Sequence, residues 1–165
     1  MQPRWSILDP KQRVKWAGPD MSVRSAMTAR QMETWAHAQA IYDVLGLERD
    51  SHDRIANVVV MGVNTFTWSF KTHQQEVPST RPQLKLTLPS GKLLRFEKNT
   101  DQADLIEGDA VEFAQVVTQT RNIADTQLHI SGDIATQWMA IAQCFAGGAV
   151  MPPAPGTRHR MTTSL

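Results

Sequence analysis

The sequence predicts an α+β protein in which one long helix precedes a small domain of mixed helices and strands. Two observations carry this. From Val23 to Leu45 the chain is rich in Ala, Met, Gln and Glu and holds no Gly or Pro before Gly46, a composition that favours an uninterrupted helix. Past Pro78 and Pro82 the apolar period changes: steps of three and four residues give way to Leu84, Leu86 and Leu88 alternating with Lys85 and Thr87, the pattern of a strand with one buried face. At 165 residues, 41% hydrophobic and 20% charged, the chain can bury one ordinary core, or two small ones sharing an interface.

Residues 1–21 hold Pro3, Pro10, Gly18 and Pro19 around Trp5 and Trp16, which reads as an irregular arm anchored on the domain by its two indoles. Ser22 is placed to cap the first helix and Gly46 to end it at the C′ position. A second helix is expected from about Asp53 to Thr72, where Ile55, Val58, Val59, Gly62, Val63, Phe66 and Phe70 recur at helical steps. Pro89-Ser-Gly91 then turns the 84–98 segment into a β-hairpin. Ala103–Glu107 reads as a third short strand, Ala110 to about Thr120 as an amphipathic helix, Leu128–Ile130 as either a strand or a loop, and Asp133–Phe145 as the last helix, ended by Gly147-Gly148. Pro152, Pro153 and Pro155 make the segment after Met151 a frayed tail.

Seventeen Lys plus Arg against 16 Asp plus Glu give a formal charge of +1 with no block of like charge, so electrostatic capture of nucleic acid or an anionic membrane is not expected. Cys144 has no second cysteine to pair with, and its apolar neighbours make it a small core residue in a reducing compartment. No signal peptide and no apolar run long enough to span a bilayer is visible, which points to a cytoplasmic protein. A nucleophile elbow, a phosphate loop and a cysteine cluster are all missing. Asp125 and Asp133 read as helix caps.

Glu33 and His37 are the most informative pair. Four residues apart, they lie about 40° from each other around a helix, so a carboxylate and an imidazole can converge on one point beside it, a donor set suited to a divalent transition metal. Ala26, Ala29, Ala36, Ala40 and Val44 surround them, while Met32, Trp35, Gln39 and Tyr42 fall on another side. Spacing alone leaves two readings, an ordinary intrahelical contact and a pair of ligands. His52 reads as a helix-start residue, and His73 as a helix-end residue favoured by the dipole. His129 and His159 have no partner at ligand spacing.

The segment from Met21 to Gly46 resembles the mycothiol-dependent maleylpyruvate isomerase-like superfamily, in particular the branch often labelled wyosine base formation domain or DinB-like metal-binding proteins. Gly62–Phe70, Gly108–Arg121, Ala124–Thr126 and Trp138–Gly147 extend the likeness, which covers roughly residues 5–147. The resemblance implies a four-helix bundle that holds a divalent metal (Zn, Ni or Fe) through one His on its second helix and a Glu-x-x-x-His pair on its fourth, which Glu33 and His37 match. It also implies a smaller, sterol-carrier-like α+β domain, matched by residues 53–147, with a low-molecular-weight thiol and a small-molecule substrate meeting the metal between the two. The implied division is an arm and last bundle helix at 1–50, the α+β domain at 51–148 and a flexible tail at 149–165.

By the same resemblance Arg121 is a candidate contact for an anionic ligand; on the residues alone it equally reads as a helix-end arginine. The chain departs from the pattern in two ways. It begins before the fourth bundle helix, so the first three helices and the third ligand are expected to be missing, and Ala40 stands where related isomerases often carry an acidic residue. The expected function is therefore the C-terminal part of a metal-dependent, thiol-using isomerase or transferase. The alternative is a non-catalytic small-molecule binding module, or a subunit whose first helix is covered by a second copy of the chain or by a missing N-terminal segment.

Overall fold

The computed structural model describes residues 8–15, 20–97 and 104–161; Trp5 and Trp16, the expected anchors of the arm, lie outside them. The architecture is α+β. A two-residue strand β1 (Arg13–Val14) pairs antiparallel with β2 (Met21–Ser22), which runs straight into α1 (Val23–Val44). Ser22 caps α1 by accepting from the Ser25 backbone N–H at 3.1 Å. At the other end Leu47 N–H donates to Tyr42 and Gly46 N–H to Asp43, the two bonds of a Schellman motif with glycine at C′.

The expected single helix over 53–72 is three pieces: a 3₁₀ turn at Asp53–Ile55, α2 (Ala56–Asn64) and α3 (Phe66–Thr72). The Asp53 carboxylate accepts from both the backbone N–H and the hydroxyl of Ser90, which ties the first turn to the hairpin. At Thr65 the backbone leaves the helical region (φ −93°, ψ 11°) and its hydroxyl donates back to Met61 and Gly62, an alternative partner for carbonyls that would otherwise continue the helix.

β3 (Gln83–Thr87) and β4 (Leu93–Phe96) form the expected hairpin. The third strand, β5 (Leu105–Asp109), starts and ends two residues later than expected and lies parallel to β3; β6 (His129–Ser131) completes the order β4-β3-β5-β6. Of the Leu128–Ile130 segment, left as strand or loop by the sequence, His129 and Ile130 are strand and Leu128 is not, the strand running on to Ser131. Leu84, Leu86, Leu94, Phe96, Ile106 and Ile130 point to the helices, where Phe66, Phe70, Phe113 and Trp138 fill the interior. Lys85, Arg95, Glu107 and His129 occupy the other face, with Lys85 3.7 Å from Glu107.

α4 (Ala110–Val117), capped by Asp109, and α5 (Asp133–Ile141) both stop short of expectation. α4 ends because Gln119 takes a left-handed conformation (φ 56°). α5 ends because the chain turns extended at Ala142 to give the Gln143 N–H to Ser69 and the Cys144 N–H to Val117. Asp133, expected as a cap, lies inside the first turn of α5 instead, behind an N-cap position held by Gly132. Asp125, expected as a cap, instead accepts from the Gly156 N–H with both oxygens.

Residues 149–161 are irregular, as their prolines require, and are bonded along their length. Gln119 and Gln143 hold Val150, Asn122 holds Pro153, Arg158 reaches the Gln119 carbonyl, and Met161 N–H reaches Asp43 on α1. Among the described residues no helix is long and apolar enough to cross a membrane.

Candidate functional site

α1 meets the domain along Val23, Ala26, Ala29, Met32, Gln39 and Asp43. The small-residue stripe around Glu33 and His37 starts within that contact and leaves it along the helix: Ala26 and Ala29 are buried, Ala36 is half-buried, and Ala40 and Val44 are exposed. Glu33 and His37 therefore sit on the flank of the interface. Their side chains are 39% and 85% exposed, with His37 Nε2 3.4 Å from Glu33 Oε2. That distance suits a loose solvated ion pair. It also matches two donors of one tetrahedral ion, since bonds of about 2.1 Å place neighbouring ligands about 3.4 Å apart.

The pair thus fits as two of the ligands of a divalent ion. Among the described residues no three His, Cys, Asp or Glu side chains gather as a complete metal site would require. Cys144 is buried, and burial first, then the Glu33 charge, push its thiol far above the ordinary range. It is a packed core thiol, as its sequence neighbours imply, and not a ready thiolate.

Arg121 lies deeper in the same interface. Its Nη1 and Nη2 donate to the two carboxylate oxygens of Asp43 at 2.7 and 2.6 Å, and both side chains are 12% exposed. Gln39 adds a third bond to Asp43. An anionic ligand would meet this arginine only in exchange for Asp43. Burial raises the Asp43 pKa, but the bonds from Arg121 and Gln39 and the Arg121 charge outweigh it and leave the carboxyl below its ordinary value.

The other histidines stand where their neighbours imply. His52 precedes the 3₁₀ turn without a side-chain capping bond. His73 closes α3 with Nδ1 2.8 Å from the Ser69 carbonyl. His129 is on β6 and His159 in the tail, beside the Gly156 carbonyl.

A groove that no sequence motif marks lies on the far side of α1 from Glu33 and His37. It is an open groove of about 1160 Å³ between the Arg24, Gln31, Trp35 and Tyr42 side of the helix and the 49–57 segment. Arg49 lies 5.1 and 5.3 Å from the ring centres of Trp35 and Tyr42 and donates to the Trp35 carbonyl at 2.7 Å. Burial lowers the Arg49 pKa, against a smaller opposing effect of Tyr42. The signal was present in the spacing, because residues 24, 28, 31, 35 and 42 share one side of a helix.

Residues 1–42 match the family model for the mycothiol maleylpyruvate isomerase N-terminal domain. Uncharacterized proteins from two strains of Mycobacterium tuberculosis are each 35% identical to the chain over 144 residues, covering 87% of it and 54% of the relative. The chain spans about half the length of these curated relatives.

Proposed function

The match over residues 1–42 supports a place in the mycothiol maleylpyruvate isomerase-like family, and from that premise we propose that the chain is the C-terminal part of a metal-dependent, thiol-using isomerase or transferase. Glu33 and His37 are two of its metal ligands in this proposal. The observation that carries it is their convergence, 3.4 Å apart and open to solvent, within the segment that the family model matches. A bound Zn, Ni or Fe would supply Lewis acidity, polarising a carbonyl or activating a thiol or water.

The chain's own residues do the positioning. Glu33 contributes an anionic oxygen and His37 a neutral nitrogen, and Asp43, held by Arg121, fixes the helix that carries both. Catalytic sites of this kind normally use three protein ligands, so the third comes from a segment preceding α1. Ile41 and Val44, 63% and 69% exposed on the outward side of the same helix, give that segment an apolar surface to pack on. The sterol-carrier character of the C-terminal domain and the use of a small thiol belong to the same proposal.

Titration calorimetry with Zn and Ni tests it. The chain alone should bind weakly, and adding the N-terminal half of a mycobacterial relative, which supplies a direct ligand, should tighten binding by more than the about 10–100-fold that a group merely supporting a ligand contributes. Glu33→Gln or His37→Ala should abolish that gain. Equal affinity with and without the added segment, or indifference to both substitutions, would leave the pair an ordinary helix contact.

A further inference from the structure

The groove on the far side of α1 is charged out of proportion to the molecule. In a chain of formal net charge +1, Arg24, Arg30, Arg49 and Arg54 line it with His52, against one acid among the described residues, Asp50. Its walls are fixed by polar ties: Gln31 donates to the Arg54 carbonyl across the groove at 2.9 Å, and Asn57 donates to Gln31 at 2.9 Å. Arg49 lies over Trp35 and Tyr42 while its Nη1 is held by the Trp35 carbonyl. A guanidinium stacked in this way is preorganised, and its other N–H groups lie in one plane, the geometry that takes an oxyanion through two parallel bonds.

We infer that this groove binds a metabolite-sized organic anion, with a carboxylate or phosphate group on Arg49 and further negative charge met by Arg54 and Arg24. The volume of about 1160 Å³ exceeds what a bare inorganic ion needs, and the several arginines along it suit a molecule with more than one anionic group. The centre of the site, Arg49 over Trp35 and Tyr42, lies on the opposite side of the helix from Glu33 and His37; of its arginines only Arg30, at its edge, is on their side, and the inference does not depend on the metal proposal.

The test uses the whole chain, ¹⁵N-labelled, with the Trp35 indole N–H signal assigned by Trp35→Phe. Citrate probes carboxylate chemistry, pyrophosphate probes phosphate chemistry, and sodium chloride at matched ionic strength is the control. At least one of the two anions should shift the Trp35 signal saturably, and the anion that binds more tightly identifies the group recognised. Arg49→Lys keeps the charge but loses the planar fork, and Arg54→Gln removes an exposed charge without touching the core. Each should weaken binding, the first by about tenfold, the loss expected for one charge-assisted hydrogen bond. His37→Ala should leave it unchanged. The inference is overturned if sodium chloride reproduces the shift, if neither anion saturates, if both arginine variants bind as well as the parent, or if His37→Ala removes binding. Should Arg49→Lys fail to fold, Arg54→Gln decides.

Discussion

Asp43 and Arg121 form the closest charged contact between α1 and the domain, with three side-chain hydrogen bonds converging on one carboxylate. Both groups are nearly out of water, so removing one partner strands the other, which costs far more than the net worth of the pair. Arg121→Gln should lower unfolding stability by about 3 kcal/mol, read as a lower urea midpoint at unchanged slope. The acid dependence follows from the lowered Asp43 pKa. A carboxyl depressed in the folded state contributes stability that is complete above its ordinary value of 3.8 and lost as pH falls through the folded value. The parent should therefore lose stability below about pH 4 in a step that Arg121→Gln lacks, and identical acid curves for the two would contradict the assignment. Neither residue declared the pairing in the sequence, because 78 positions separate them. Glu33 and His37 were legible for the opposite reason: four residues on one helix fix their geometry locally.

The same division between local and distant causes runs through the elements. Ser22 and Gly46 bound α1 from within a turn of its ends, and the alternation of Leu84, Leu86 and Leu88 announces β3 by itself, so these were legible. The break at Thr65 was not, since the apolar period continues through it. α5 shows the effect most plainly: Gly132 precedes it at φ 89° and has no side chain to cap it, and the cap comes from Asp104, whose Oδ1 accepts from the Ile134 and Ala135 N–H groups at 2.8 and 3.1 Å. Asp104→Ala should cost about 1 kcal/mol, the ordinary worth of a cap. A Cβ at Gly132 would stand 2.4 Å from that same oxygen, so the glycine makes room for the cap as well as supplying the turn. Gly62 in α2 is a matter of space alone. A Cβ there would meet Val117 Cγ2 at 2.8 Å and Phe113 at 3.1 Å, so the helix-propensity gain of Gly62→Ala, about 1 kcal/mol, is opposed by overpacking of about 1–3 kcal/mol. Calorimetric melting should show a net loss; a rise in Tm would mean that α2 and α4 can separate at little cost.

Across the whole molecule, the two halves of α1 are held differently. Val23, Ala26, Ala29 and Met32 are buried apolar contacts, and the arm adds backbone bonds from Val23 to Gln12 and from Arg24 to Pro10. Beyond Trp35 the buried positions are polar, Gln39 and Asp43, and their partners are Arg121 and the end of the chain. The C-terminal segment runs from Gln143 past Asn122 and Asp125 to place Met161 N–H on the Asp43 carbonyl and Arg160 near Glu48. It works as a strap across the C-terminal half of the helix. Ending the chain after Val150 should therefore leave the core and the N-terminal half of α1 intact while loosening residues 39–47, because local opening is governed by the contacts each stretch makes. Hydrogen exchange followed by mass spectrometry should show faster exchange in peptides covering 39–47 and little change at 23–32 or in β3 and β5. Uniform acceleration along α1 would mean that the helix opens as one unit, and no acceleration would mean that Arg121 alone holds its end.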